Sequence, residues 1–130
     1  MNISELYSTF QKYPYICTDS RRITKDSLFF ALKGDNFNGN KFAEQAILKG
    51  CAYAIIDEKE FCKNKKIILV ENVLETLQLL AKYHREQINI PVIGITGTNG
   101  KTTSKELIHA VLSSRNNCYA TKGNLNNHIG

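Results

Sequence analysis

The stretch Pro91-Val92-Ile93-Gly94-Ile95-Thr96-Gly97-Thr98-Asn99-Gly100-Lys101-Thr102-Thr103 decides the fold. Its first six residues are an apolar run without alternation, the pattern of a parallel strand buried on both faces. A glycine-rich turn follows. Residues 102–113 then place Leu107, Ile108, Val111 and Leu112 at helical spacing, which predicts a helix with that stripe buried and His109 solvated on the other side. Strand, Gly-x-x-Gly-Lys-Thr turn and helix are the context a phosphate-binding loop requires. Gly97 and Gly100 let the backbone turn tightly and approach a ligand closely. Turn amides and the positive end of the helix dipole favour an anion at that point. On this reading Gly97, Thr98, Asn99, Gly100, Lys101, Thr102 and Thr103 bind ATP. Lys101 is the catalytic cation that reaches the β- and γ-phosphates, and the Thr102 hydroxyl helps hold Mg²⁺. The longer pattern carries another glycine where Ile95 stands, so this loop is a short form.

Upstream, helix and strand signals alternate, which places the chain in the α/β class. Helices are predicted over 2–10, 41–49 and 72–88, and strands over 15–17, 28–32, 52–56 and 67–70. Asn40 is the expected N-cap of the second helix and Gly50 its stop. In the third, Val73, Leu77, Leu80, Ala81, His84 and Ile88 share one face, with His84 read as a packed, hydrogen-bonded side chain. Asn89-Ile90-Pro91 breaks that helix. The expected organisation is a small α/β domain over 1–88 and the start of a parallel-sheet P-loop domain over 89–130, which includes a short strand at Cys118-Tyr119-Ala120. One helix and about two strands are too little to enclose a core, so the sequence reads as part of a longer chain.

Composition excludes several classes. Of 130 residues, 42% are hydrophobic and 22% charged, as in globular domains. No apolar run approaches the roughly 20 residues of a membrane-spanning helix, and the N-terminus lacks a signal peptide's pattern, so a cytoplasmic protein is expected. The net charge is +5. Residues 1–90 contribute +2 and residues 91–130, with four basic side chains and one acidic, contribute +3. That excess suits an anionic partner without choosing between nucleotide and nucleic acid, and no motif for nucleic acid is present. Cys17, Cys51, Cys62 and Cys118 show no metal-ligand spacing and read as reduced thiols in the core or at its boundary.

Three segments carry a resemblance. Ile95 to Thr103 is similar to the ATP loop of the Mur ligases, which build the peptide stem of bacterial peptidoglycan. Gly123-Asn124-Leu125-Asn126-Asn127-His128-Ile129-Gly130 resembles a segment after the second central strand in the branch that adds D-alanyl-D-alanine. Thr18-Asp19-Ser20-Arg21, followed by Leu28-Phe29-Phe30-Ala31-Leu32-Lys33-Gly34, resembles that branch's substrate-binding first domain. The resemblance implies a soluble, monomeric, ATP- and Mg²⁺-dependent ligase acting through an acyl phosphate. Its partners would be UDP-N-acetylmuramoyl-tripeptide and D-alanyl-D-alanine. It implies substrate-binding roles for Ser20 and Arg21, near the uridine nucleotide, and for Asn124, Asn126 and Asn127, beside the γ-phosphate and the reacting carboxylate. It also places the family's Mg²⁺-binding glutamate, modified lysine and adenine pocket beyond Gly130, so these 130 residues alone are expected to be inactive. Relatives often have Asp-Gly-His where this chain has Asn38-Gly39-Asn40, so no role resting on that Asp or His carries over.

Other readings stay open at this stage. One is a Mur ligase that adds a single amino acid, or a folylpolyglutamate synthetase-like ligase. Another is a P-loop switch that binds nucleotide and ligates nothing. A third is a basic nucleic-acid-binding module, carried only by the net charge.

Overall fold

The structure, a computed structural model, describes residues 2–121. Contacts divide the chain into two compact units, Met1–Ile88 and Asn89–Gly130.

The first unit is α/β. Strands β1 (Tyr15–Cys17), β2 (Ser27–Phe30), β5 (Tyr53–Ile56) and β6 (Ile67–Leu69) form one parallel sheet in the order β1-β2-β5-β6. Register runs Cys17 to Phe29, Phe29 to Ala54 and Ala54 to Ile67. A two-stranded hairpin, β3 (Lys33–Gly34) with β4 (Phe37–Asn38), projects from the end of β2. Side chains of a strand alternate between faces, and the core divides accordingly. Phe29, Ala54, Ile56 and Ile67 pack with Ala43 and Ala46 of helix α2 (Ala43–Leu48). Leu28, Phe30, Ile55 and Ile68 pack with Leu6 of α1 (Ile3–Lys12) and with Val73 and Leu80 of α3 (Val73–Gln87). A sheet covered on both faces explains why its strands read as unbroken apolar runs.

Helix ends follow local chemistry. Asn2 and Glu5 form a reciprocal capping box on α1, and Asn72 accepts from the Glu75 amide at the start of α3. Gly50 closes α2 at φ 103°, where a side chain would be strained. Two expectations change here. Asn40 is not the N-cap: a 3₁₀ turn over Gly39–Phe42 precedes α2, and it is the Asn38 side chain that accepts from the Asn40 amide. Ala81 is exposed rather than part of the buried face, because α3 buries a narrow stripe through Val73 and Leu80. His84 is half-buried, its Nδ1 3.3 Å from the Tyr7 hydroxyl and its ring edge-on to Phe10.

The second unit has one helix among its described residues, α4 (Lys101–Ser113). The strands expected at Pro91–Thr96 and Cys118–Ala120 do not form. No described strand pairs with either, and Val92 and Ile93 are 65% and 60% exposed. A strand in isolation leaves its backbone groups to water, so an apolar run alone does not make one. For the same reason the stripe of α4 is not buried: Leu107, Ile108 and Val111 are exposed. His109, expected in solvent, is half-buried with Nε2 3.2 Å from the Cys118 carbonyl oxygen. The four cysteines are free. Cys17 and Cys51 are buried and Cys118 is half-buried, as expected of core or boundary thiols, whereas Cys62 is exposed after a 3₁₀ turn at Lys59–Phe61.

Candidate functional site

Each unit contributes one candidate surface. In the second unit the loop Gly97–Gly100 leads into α4. Gly97 has φ 150° and Gly100 has φ 77°, conformations that favour glycine. Gly100 is the residue ahead of the helix, and the first helical bond runs from Ser104 N to the Gly100 carbonyl at 2.8 Å. The amides ahead of Ser104 therefore have no intrahelical acceptor and carry the positive end of the helix dipole. Lys101 bends back over the loop, its Nζ donating to the carbonyls of Gly97 at 2.5 Å and Thr98 at 3.5 Å. This arrangement puts a cation and the positive end of a helix dipole on one exposed turn of backbone, a charge suited to phosphate. Thr102 and Thr103 follow in the first turn of α4, also exposed.

In the first unit the turn Thr18–Arg22 leaves the end of β1. The Asp19 carboxylate accepts from Arg21 N, Nε and Nη2, each at 2.9 Å. These bonds and the adjacent guanidinium hold the Asp19 carboxyl down at about 2. Arg21 is exposed, while its neighbour Ser20 is buried with its carbonyl accepting from Lys49 Nζ at 3.1 Å.

Beside this turn's sheet, the hairpin is tied down by a network the sequence did not reveal. Lys33 pairs with Asp57 at 2.9 Å and Glu58 at 3.0 Å. Asn38 donates to both Glu58 oxygens, at 3.1 and 3.0 Å. Asn40, wholly buried, donates to Asp57 Oδ1 at 2.9 Å and accepts from the Asp57 amide at 3.0 Å. Burial pushes the Asp57 carboxyl up, but Lys33, Asn40 and the Val73 amide outweigh it and leave it below its ordinary value. The only sequence signal was the cluster of turn-forming asparagines; the acidic partners lie some 20 residues further on.

Family descriptions match both parts of the chain. The family description "Mur ligase family, catalytic domain" matches residues 12–96, and "Mur ligase middle domain" matches residues 95–130. The chain belongs to the Mur ligase family. Within that family it is 44% identical over 117 residues to the UDP-N-acetylmuramoyl-tripeptide--D-alanyl-D-alanine ligase of Bacillus subtilis (strain 168), covering 88% of this chain and 26% of that protein. Among solved structures, MurF from Acinetobacter baumannii superposes with TM-score 0.81 at 32% identity, over 98% of this chain and 31% of that one. MurF ligase from Thermotoga maritima, in complex with ADP, superposes with TM-score 0.76 at 31% identity, over 86% of this chain and 26% of that one. The chain thus spans about a quarter to a third of the length of these Mur ligases.

Two parts of the expected site need separate treatment. Asn124, Asn126 and Asn127 lie outside the described residues. For Mg²⁺, no group of three or more His, Cys, Asp or Glu among the described residues is placed to hold a metal. Mg²⁺ commonly keeps waters and substrate phosphate oxygens beside one or two protein groups. A single threonine hydroxyl next to a phosphate loop fits such a donor set.

Proposed function

We propose that the protein to which these 130 residues belong is an ATP-dependent ligase that joins D-alanyl-D-alanine to UDP-N-acetylmuramoyl-tripeptide, a step of peptidoglycan precursor synthesis. One observation carries the reading: the 44% identity to a relative of that printed activity, running through the sheet unit and the phosphate loop together. We assign residues 1–88 to the UDP-sugar and residues 89–130 to the start of the ATP-binding domain. The cytoplasm, where ATP and UDP-sugars are found, is the compartment we assign, and a monomer the state.

The chemistry asks for activation of a poor acylating agent. The tripeptide's terminal carboxylate oxygen attacks the γ-phosphorus of ATP, and the bond to the ADP oxygen breaks. The dipeptide amine then attacks the acyl carbon, loses a proton, and inorganic phosphate leaves with the former carboxylate oxygen. Charge gathers on phosphoryl oxygens in both steps. In this reading Lys101 and the amides of Gly97 to Thr103 stabilise it, with Lys101 exchanging the Gly97 and Thr98 carbonyls for the β- and γ-phosphates. Mg²⁺, when bound with help from Thr102, supplies further neutralisation of the phosphates. Ser20 and Arg21 take the uridine nucleotide. Asn124, Asn126 and Asn127 face the reacting carboxylate in this reading.

Phosphate release from ATP tests the proposal with the protein from the whole reading frame. Release that needs both UDP-N-acetylmuramoyl-tripeptide and D-alanyl-D-alanine supports it. Release with single amino acids instead of the dipeptide overturns the amine assignment, and release with neither substrate overturns the ligase. The 130 residues alone are expected to release none.

A further inference from the structure

We infer that Asp19 is a positioning residue that fixes how Arg21 meets the diphosphate of a UDP-sugar. The inference rests on the substrate assignment above and adds a residue to it. A guanidinium has five N–H donors in a planar fork. Asp19 takes the Nε and Nη2 donors on one edge and the Arg21 backbone amide as well. The Nη1 donors and the outer Nη2 donor remain, on the distal end of a side chain that is 87% exposed. Those donors can fork onto one phosphate group without breaking the pair.

The turn beneath is held from several sides. The single Cys17 S–H is shared between the Asp19 carbonyl, 3.2 Å from Sγ, and the Arg22 carbonyl, 3.4 Å away. Lys49 holds the Ser20 carbonyl, and Arg22 N closes the turn on the Asp19 carbonyl at 3.0 Å. The base of the guanidinium is thus fixed in backbone and side chain at once. Immobilising a free arginine on binding costs affinity that a preorganised one keeps, roughly two- to tenfold.

Charge and orientation predict opposite signs here. A carboxylate beside the cation opposes an incoming anion. If charge alone mattered, Asp19→Asn would tighten binding. If Asp19 positions the fork, Asp19→Asn weakens it. The test measures the Kd for UDP-N-acetylmuramoyl-tripeptide by calorimetry, with melting temperature alongside, in the protein from the whole reading frame. Arg21→Ala is expected to weaken binding by about tenfold or more, the range for a charged hydrogen bond. Asp19→Asn is expected to weaken it roughly two- to tenfold with little change in melting temperature. Asp19→Glu, which keeps the charge but shifts the carboxylate, falls between wild type and Asp19→Asn. In the Arg21→Ala background, Asp19→Asn no longer weakens binding. Unchanged or tighter binding by Asp19→Asn, with Arg21→Ala weakened, overturns the positioning role and leaves the substrate assignment standing. Binding untouched by Arg21→Ala removes the turn from the substrate site, and no binding by wild type overturns the function itself.

Discussion

Two apolar runs in this chain meet opposite ends. Leu28, Phe29 and Phe30 are wholly buried in β2, whereas Val92 and Ile93, in a second apolar run, are mostly exposed. The difference is in the neighbours. β2 is hydrogen-bonded to β1 on one side and β5 on the other, with helices over both faces. The run at 91–96 has no paired strand among the described residues. Yet the loop just after it is formed, with its glycines at φ 150° and 77° and its helix beginning at Lys101. The glycine loop is local chemistry, written in backbone dihedrals and a helix start. The strand that would carry it depends on partners.

The comparison breaks most readily at Phe29. Phe29→Ala is expected to cost roughly 3–5 kcal/mol in the sheet unit, because a packed core cannot close over the missing ring. Urea unfolding of the 130-residue chain measures it, and a cost under about 1 kcal/mol would show the core to be loosely packed. Glycine substitutions are next. A Cβ on Gly39 would lie 2.5 Å from the Leu32 carbonyl oxygen and 2.7 Å from the Ala31 carbonyl carbon, both backbone atoms. Gly39→Ala is expected to cost about 1–3 kcal/mol by overpacking and to lower the melting temperature. At Gly100 nothing lies within 4 Å, and only the φ of 77° penalises a side chain. Gly100→Ala is expected to cost about 1–2 kcal/mol. That cost falls on the loop: affinity for an ATP analogue drops while unfolding of the sheet unit stays put. Equal melting shifts from the two variants would erase the distinction between packed and local glycines.

How far the sequence could be read follows the same division. Seven of the strands and helices of the first unit match their predicted positions within a few residues: α1, β1, β2, α2, β5, β6 and α3. Each of them has an apolar pattern matched to the layer it packs in. Gly97 and Gly100 were legible as turn residues because the positive φ each adopts favours glycine whatever surrounds it. The network joining Lys33, Asn38 and Asn40 to Asp57 and Glu58 was not. It is a contact between distant segments, and short polar side chains in a turn look alike whether they cap locally or bridge to a sheet. The Asp19–Arg21 pair lay within a recognised segment, but spacing alone does not say which edge of the guanidinium is taken.

The network also gives the first unit a pH dependence. The Asp57 carboxyl sits below its ordinary value of 3.8. Its ionised form is favoured by folding, so its contribution is complete above that value and is lost as pH falls through the lower folded one. Wild type is expected to lose stability below about pH 4 more steeply than Asp57→Asn, by an amount smaller than the cost of Gly39→Ala. Parallel curves from pH 6 to 2 would show that Lys33 and Asn40 do not favour the charged form.

The smallest effect isolates burial from residue type. Leu80 of α3 is 2% exposed and Leu107 of α4 is 63% exposed, both mid-helix leucines on apolar stripes. Leu80→Ala empties a packed site and is expected to cost about 2–5 kcal/mol. Leu107→Ala removes the same atoms from water-facing surface, and alanine is the better helix former. Its expected effect is within about 0.5 kcal/mol of zero. Urea unfolding of both variants of the 130-residue chain makes the measurement. A loss above about 1 kcal/mol for Leu107→Ala would mean that the α4 stripe is covered in solution. The contrast between a packed unit and a locally formed loop would then have to be redrawn.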